Sequence, residues 1–118
     1  MLERKLRSFG YALKGLRLAF QEESNFQIQI AFSVFVIFLG RFLGISEAEW
    51  LLVIGAMGLV LTAELLNTAL EELCDMLRST HDPHVAKIKD LAAAAVLAAS
   101  ITAFVIGMII FVPKIFFL

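Results

Sequence analysis

The sequence predicts an all-α integral membrane protein, with an N-terminal amphipathic surface helix followed by three transmembrane helices. Of its 118 residues, 60% are hydrophobic, and the mean hydropathy is +0.87. This apolar content exceeds the roughly 45–50% of soluble domains, and it lies in blocks long enough to cross a bilayer. The formal net charge of −1 argues against a nucleic-acid partner. We expect one domain over residues 1–118.

Residues 1–22 predict a helix that lies on the membrane surface. Their apolar residues recur at steps of three and four, while Arg4, Arg7 and Lys14 fall on the opposite side of the helix. Such a helix buries its apolar face in lipid and turns its basic face toward anionic head groups. The apolar positions are Leu2, Leu6, Phe9, Leu13, Leu16 and Phe20.

Three segments predict transmembrane helices at residues 24–45, 50–70 and 91–113. Roughly 20 apolar residues suffice to span a bilayer, and the last segment has 23 residues without a charge. Arg41 is compatible with the first segment because its side chain can reach the interface. We expect residues 71–90 to form a loop between the second and third spans.

The distribution of basic residues predicts the orientation. Eight of the ten Lys and Arg residues lie before the first span or in the 71–90 loop, and only Arg41 and Lys114 lie on the other side. Loops rich in Lys and Arg stay in the cytoplasm. We therefore expect a multi-pass protein with a cytoplasmic N-terminus and a cytoplasmic 71–90 loop.

The segment "AELLNTALEELCD", residues 63–75, places acids at the end of an apolar run. On a helical wheel Glu64, Asn67, Glu71 and Asp75 form one stripe about 80° wide, and Glu72 falls outside it. We call these four residues the polar stripe. Polar residues within a span usually mark a functional site.

Three interpretations of the polar stripe are compatible with composition alone. Its residues could hold helices together, which for Asn67 is as good an explanation as function. They could line a cation pathway, although residues 50–63 offer only Thr62 as a polar side chain along the remaining depth. Or the carboxylates could bind Mg²⁺, because like charges in line repel unless a cation neutralises them. Glu22 and Glu23 could turn toward the same place.

Longer motifs resemble a known family. The segment "AELLNTALEELCD", the segment "KDLAAAAVL" at residues 89–97 and the segment "GYALKGLRLAFQEESNF" at residues 10–26 are similar to the small bacterial diacylglycerol kinase and undecaprenol kinase family of membrane lipid kinases. The resemblance covers nearly the whole chain. It implies ATP-dependent phosphorylation of a lipid hydroxyl in the bacterial inner (cytoplasmic) membrane, by a homotrimer with active sites at the membrane surface between subunits.

The resemblance also implies roles for individual residues. Glu64 would be the general base that accepts the proton of the lipid hydroxyl, and Glu23 and Glu71 would hold Mg²⁺ on the nucleotide phosphates. Phosphoryl transfer asks mainly for such positioning and charge neutralisation. The residues expected to contact or order ATP are Arg4, Tyr11, Glu23, Asn67, Glu71, Asp75, Thr80, His81, Asp82, Lys89 and Asp90.

The lipid acceptor is predicted from two departures. Relatives acting on diacylglycerol commonly have a Gly-Ser pair where this chain has Ala92 and Ala93, and "AAAAVL" with "SNFQIQ" looks more like the undecaprenol kinase branch. Ala93 would then contact a prenol that needs no serine hydroxyl. We favour phosphorylation of undecaprenol to undecaprenyl phosphate, with phosphorylation of diacylglycerol to phosphatidate as the alternative. Gln27 and Gln29 stand where the family often has charged residues.

Overall fold

A computed structural model describes residues 1–77 and 82–118 and shows four helices. In the described residues there is no strand, so the all-α prediction is confirmed. Helices α2, α3 and α4 are long and apolar enough to cross a membrane, as the sequence predicts. Their bounds, with the N-terminal helix first, are α1 Leu2–Glu22, α2 Ser24–Leu43, α3 Glu47–Met76 and α4 Pro83–Phe116.

A single residue separates α1 from α2. Glu23 has an extended backbone, with φ −108° and ψ 109°, which interrupts the helical hydrogen bonds. The Gln27 side-chain amide donates to the carbonyl oxygen of Phe20 at 2.7 Å and so links the first turns of α2 to the end of α1. Glu23 thus lies at the corner between α1 and α2.

The turn between α2 and α3 is defined by a glycine and a capping box. Gly44 ends α2 with φ +65°, a conformation that favours glycine. Ser46 accepts a hydrogen bond from the Glu49 backbone N–H, and the Glu49 carboxylate accepts one from the Ser46 backbone N–H. Because of these caps, α2 ends before the expected residue 45 and α3 begins before the expected residue 50.

The expected loop over residues 71–90 is helical at both ends. Helix α3 continues to Met76, and α4 begins at Pro83 with the Asp82 side chain as its N-cap. A 30-residue helix is about 45 Å long, whereas the hydrocarbon core is about 30 Å thick, so α3 is longer than a span requires. The bounds differ because the apolar run ends before the helix does; the helical wheel of the polar stripe, which runs to Asp75, agrees with the longer helix.

The long helices α3 and α4 pack along each other, α2 packs on α3, and α1 contacts the start of α2. Near the α2–α3 turn the buried apolar side chains form a cluster. Gly40 permits close packing there, because a Cβ at this position would lie 2.9 Å from the Trp50 ring. We call this region the turn end; its buried cluster is Ile45, Val53, Ile110 and Phe111.

Candidate functional site

The polar stripe lies on one uninterrupted helix, at the end of the bundle opposite the turn end. Glu64 is 3% exposed and Asn67 is 9% exposed, and they are the buried polar side chains among the described residues. Glu71 is half-buried and Asp75 is exposed. Glu64 lies about 10 Å from Glu71 along the helix axis. The stripe therefore runs from a buried carboxylate to an exposed one.

Asn67 and Glu71 are joined by a hydrogen bond. The Asn67 Nδ2 donates to Glu71 Oε1 at 3.0 Å, one helical turn away. This bond turns the amide so that Asn67 Oδ1 is buried without a hydrogen-bond partner in the described structure. A buried amide oxygen without a partner is costly, and it can accept a hydrogen bond or bind a cation.

Glu64 is contacted from α2. The Gln29 Nε2 donates to Glu64 Oε2 at 3.4 Å, which joins two helices across 35 residues of sequence. The remaining amide oxygen, Gln29 Oε1, is buried without a partner. A buried carboxylate in a span thus has a neutral amide as its neighbour.

Glu23 lies close enough to the polar stripe to be affected by its charge. Partial burial, and then the carboxylates of Glu71 and Glu64, raise the pKa of Glu23 above its usual value of 4.5. Glu72, outside the stripe, has the same effect but a smaller one. The corner between α1 and α2 therefore brings a fourth carboxylate to the stripe, where excess negative charge favours a bound cation.

The donor set at this corner fits Mg²⁺. Glu23 and Glu71 supply carboxylates, and Asn67 Oδ1 supplies an amide oxygen that has no other partner. Over residues 1–77 and 82–118, no three His, Cys, Asp or Glu side chains converge as a closed metal site. Mg²⁺ takes one or two protein carboxylates and completes its shell with water and phosphate oxygens.

Four predicted nucleotide contacts lie where α3 meets α4. Lys89 Nζ and Asp75 Oδ1 form an ion pair at 3.1 Å, with side chains 38% and 63% exposed. Asp82 Oδ1 accepts a hydrogen bond from the His84 backbone N–H at 2.8 Å, so this carboxylate caps α4. Asp90 is exposed. Asp75 and Lys89 are brought together, whereas Asp82 has a local structural partner.

The remaining predicted residues are not assembled with these. Arg4 and Tyr11 are exposed on α1, about 28 Å and 18 Å from Glu23 along the helix axis. Ala93 is exposed on α4, whereas its neighbour Ala92 is buried. Thr80 and His81 lie outside the described residues.

Two apolar grooves lie beside the polar stripe. One, of about 700 Å³ between α3 and α4, has Asn67 at its polar end and small alanines along α4. The other, of about 420 Å³ between α2, α3 and α4, includes Gln29 and continues past aromatic and methionine side chains. Both grooves are mainly apolar, and the second reaches Gln29, the hydrogen-bond partner of Glu64.

Gln29 is the residue whose role the sequence analysis missed. It was noted only as a departure from the family, although an amide within an apolar span is expensive and usually has a specific partner. Ser33, one turn further along α2, also carries a polar group, but its hydroxyl bonds only to the Gln29 carbonyl oxygen. The signal in the sequence is the free-energy cost of placing the Gln29 amide inside an apolar span.

Comparisons with known proteins identify the family. A family model described as prokaryotic diacylglycerol kinase matches residues 10–111. Undecaprenol kinase of Bacillus subtilis is 34% identical over 96% of this chain and 92% of its own length. Diacylglycerol kinases of Synechocystis sp. and Haemophilus influenzae are 37% and 34% identical over 90% of this chain, covering 61% and 91% of those proteins. These identities do not separate the two named acceptors.

Proposed function

We propose that this chain, which belongs to the prokaryotic diacylglycerol kinase family and is a lipid kinase, phosphorylates undecaprenol with ATP. The family also makes it a multi-pass bacterial membrane protein. The observation that carries the proposal is the buried Glu64 carboxylate, placed on the same helix as Glu71. The product would be undecaprenyl phosphate.

Glu64 would act as the general base. A base for a lipid alcohol has to lie below the head groups, where the alcohol lies, and Glu64 is the deepest carboxylate of the stripe. It would take the proton of the lipid hydroxyl as the hydroxyl oxygen attacks the terminal phosphorus of ATP. The bond from that phosphorus to the bridging oxygen would break at the same time and release ADP. Glu71, about 10 Å nearer the end of α3, is too far along the helix for this role.

Glu23 and Glu71 would hold Mg²⁺, with Asn67 Oδ1 beside them. When bound, the ion would neutralise charge on the nucleotide phosphates. The chain's own contribution would be to bring Glu23, between α1 and α2, near Glu71 of α3; burial first, and then the charge of Glu71, raise the pKa of Glu23. Lys89 would contact the phosphates, with Asp75 keeping its ammonium group near the stripe.

Helix α1 would lie in the cytoplasmic interface. The side chains at its six apolar positions named above are between 45% and 71% exposed, and Ala19 is its buried residue, so the described chain covers almost none of this face. A homotrimer would bring the predicted nucleotide contacts Arg4 and Tyr11 of one chain toward a site on another. Their distance along α1 from Glu23 supports such sharing. The bacterial inner membrane, with the N-terminus in the cytoplasm, is the proposed location.

The undecaprenol assignment rests on the apolar side chain of Ala93 and on one relative. Ala93 is exposed on α4 and offers no hydrogen bond to a glycerol backbone. The relative named undecaprenol kinase also aligns over most of both chains. Diacylglycerol is the second candidate, because apolar sites discriminate weakly between lipids and several relatives carry that name.

The test is a side-by-side assay of the purified full chain in detergent, with Mg-ATP and either undecaprenol or diacylglycerol. We expect the larger kcat/KM for undecaprenol. A larger value for diacylglycerol would transfer the assignment to that lipid, and no phosphorylation of either would overturn the proposal.

A variant sharpens the choice of acceptor. Ala93→Ser adds a hydroxyl on the exposed side of α4, and we expect it to raise the ratio of diacylglycerol to undecaprenol turnover by about 2- to 10-fold. The matched control is Ala94→Ser, at the next exposed position. An equal change in both variants would remove Ala93 from the acceptor site.

A further inference from the structure

Gln29 is the one described residue of α2 whose side chain hydrogen-bonds to α3. It lies about 8 Å along α2 from its first residue, inside the apolar stretch. Its donor Nε2 points at Glu64 Oε2, and its own acceptor Oε1 is left buried without a partner. The Gln29 amide thus donates to Glu64, while its own oxygen accepts no hydrogen bond.

We infer that Gln29 is a positioning residue for the reaction, because it holds Glu64 Oε2 and so leaves Glu64 Oε1 to face the lipid hydroxyl. The inference rests on the proposed function, in which Glu64 is the base. A carboxylate on three rotatable bonds can present either oxygen in several directions. A single donor on one oxygen selects one of them.

The neutral charge of the donor matters for a base. A Lys or Arg at this position would form a strong ion pair and stabilise the ionised carboxylate, which makes it a poorer proton acceptor. An amide orients the same oxygen with a weaker bond. At 3.4 Å the bond is long, and hydrogen bonds at catalytic groups commonly tighten when substrate orders the site.

The alternative is that the bond merely holds α2 against α3. Interhelical hydrogen bonds in membranes contribute little stability on average, because the separated helices find other partners. By contrast, a displacement of a reacting group by about 1 Å can cost about 100-fold in rate. A bond of this kind therefore affects catalysis more than stability, and this difference can be measured.

The experiment compares Gln29→Met, which keeps the length of the side chain and removes the donor, with Ser33→Ala. Ser33 lies one turn away, lines the same groove and bonds only to backbone, so its variant is the matched control. We expect kcat of Gln29→Met to fall about 10- to 100-fold, with the KM for Mg-ATP and the melting temperature in detergent unchanged. Ser33→Ala should match the wild type.

Gln29→Asn is the second variant, and it guards against a failure of Gln29→Met to fold. It keeps a polar amide but is one methylene shorter, so it loses contact with Glu64. We expect the same direction of effect on kcat. If kcat stays at the wild-type level in a folded variant, or falls only together with the melting temperature, the positioning role is overturned.

A double-mutant cycle separates action through Glu64 from action elsewhere. In Glu64→Asp the shorter carboxylate has already lost its bond to Gln29, so adding Gln29→Met should change kcat less than 2-fold. A full 10-fold further loss would contradict the inference. If Glu64→Gln keeps its activity, the proposed base is overturned, and this inference with it. If Glu64→Gln is inactive and Gln29→Met is fully active, only the inference is overturned.

Discussion

The two ends of the helical bundle bury different kinds of side chain. At the turn end, Ile45, Val53, Ile110 and Phe111 pack together, and the capping box provides hydrogen-bond partners for backbone N–H groups at the start of α3. At the opposite end, Glu64 and Asn67 are buried, and two amide oxygens lack partners. Apolar burial stabilises the first region, while the second carries polar groups that a purely structural core would not retain. The two ends should therefore respond to mutation in opposite ways, losing either stability or activity.

The largest effect is expected at Glu64. Glu64→Gln keeps the size of the side chain but removes the proton acceptor, so phosphorylation of any lipid should fall by about 100-fold to 10,000-fold. The melting temperature in detergent and the oligomeric state should stay unchanged. Full activity in this variant would break the contrast between the two ends and would remove Glu64 as the base.

Removal of Glu71 should affect nucleotide use. Glu71→Ala deletes one of two carboxylates proposed for Mg²⁺ and also frees the Asn67 amide, so the KM for Mg-ATP should rise about 10-fold to 100-fold. Glu72→Ala, one position along and outside the stripe, is the control. Similar kinetics for the two variants would argue against a special role for the stripe.

Magnesium use should depend on pH through Glu23. The pKa of Glu23 is raised, so this carboxyl takes up a proton at a higher pH than an ordinary glutamate, and protonation competes with Mg²⁺. As the pH falls from 7 toward 5, the half-saturating Mg²⁺ concentration should rise, at most about 10-fold per unit for one proton. Titrations of activity with Mg²⁺ at several pH values measure this. Glu23→Gln should bind Mg²⁺ weakly throughout and lose most of this dependence.

Substitutions at the turn end should change stability and not activity. Gly40→Ala forces a Cβ to within 2.9 Å of the Trp50 ring, and such overpacking costs about 1–3 kcal/mol. The control is Gly55→Ala, where nothing lies within 4 Å of the added Cβ and helix propensity favours alanine by about 1 kcal/mol. Thermal unfolding in detergent should separate the two variants. In the fraction that remains folded, kcat should equal that of the wild type.

Local patterns predicted the helices and the polar stripe well. A sufficiently long apolar run without charges predicts a membrane-spanning helix, and the spacing of Glu64, Asn67 and Glu71 predicts that they share one helical face. Both predictions follow from helix geometry alone. The start of α3 was less accessible to prediction, because it depends on a capping box that lies outside the apolar run. Its end lies beyond the apolar run, and only the helical spacing of the polar stripe indicates that the helix continues to Asp75.

Contacts between distant residues could not be predicted. The bond between Gln29 and Glu64 depends on which faces of α2 and α3 meet, and one sequence does not reveal this pairing. The same is true of the approach of Trp50 to Gly40. The Asp75–Lys89 pair depends in the same way on how α3 packs against α4.

The continuity of α3 has a consequence for the membrane around it. Glu64 and Glu71 belong to one rigid rod, so their separation does not change with the thickness of the bilayer. A thicker or thinner membrane shifts the level of the head groups relative to this rod, at a modest energetic cost. The hydroxyl group of the acceptor then has to move along the bilayer normal to reach Glu64, because the protein keeps its two carboxylates at a fixed separation. Turnover should accordingly depend on the acyl-chain length of the host lipid even when the phosphorylated lipid stays the same.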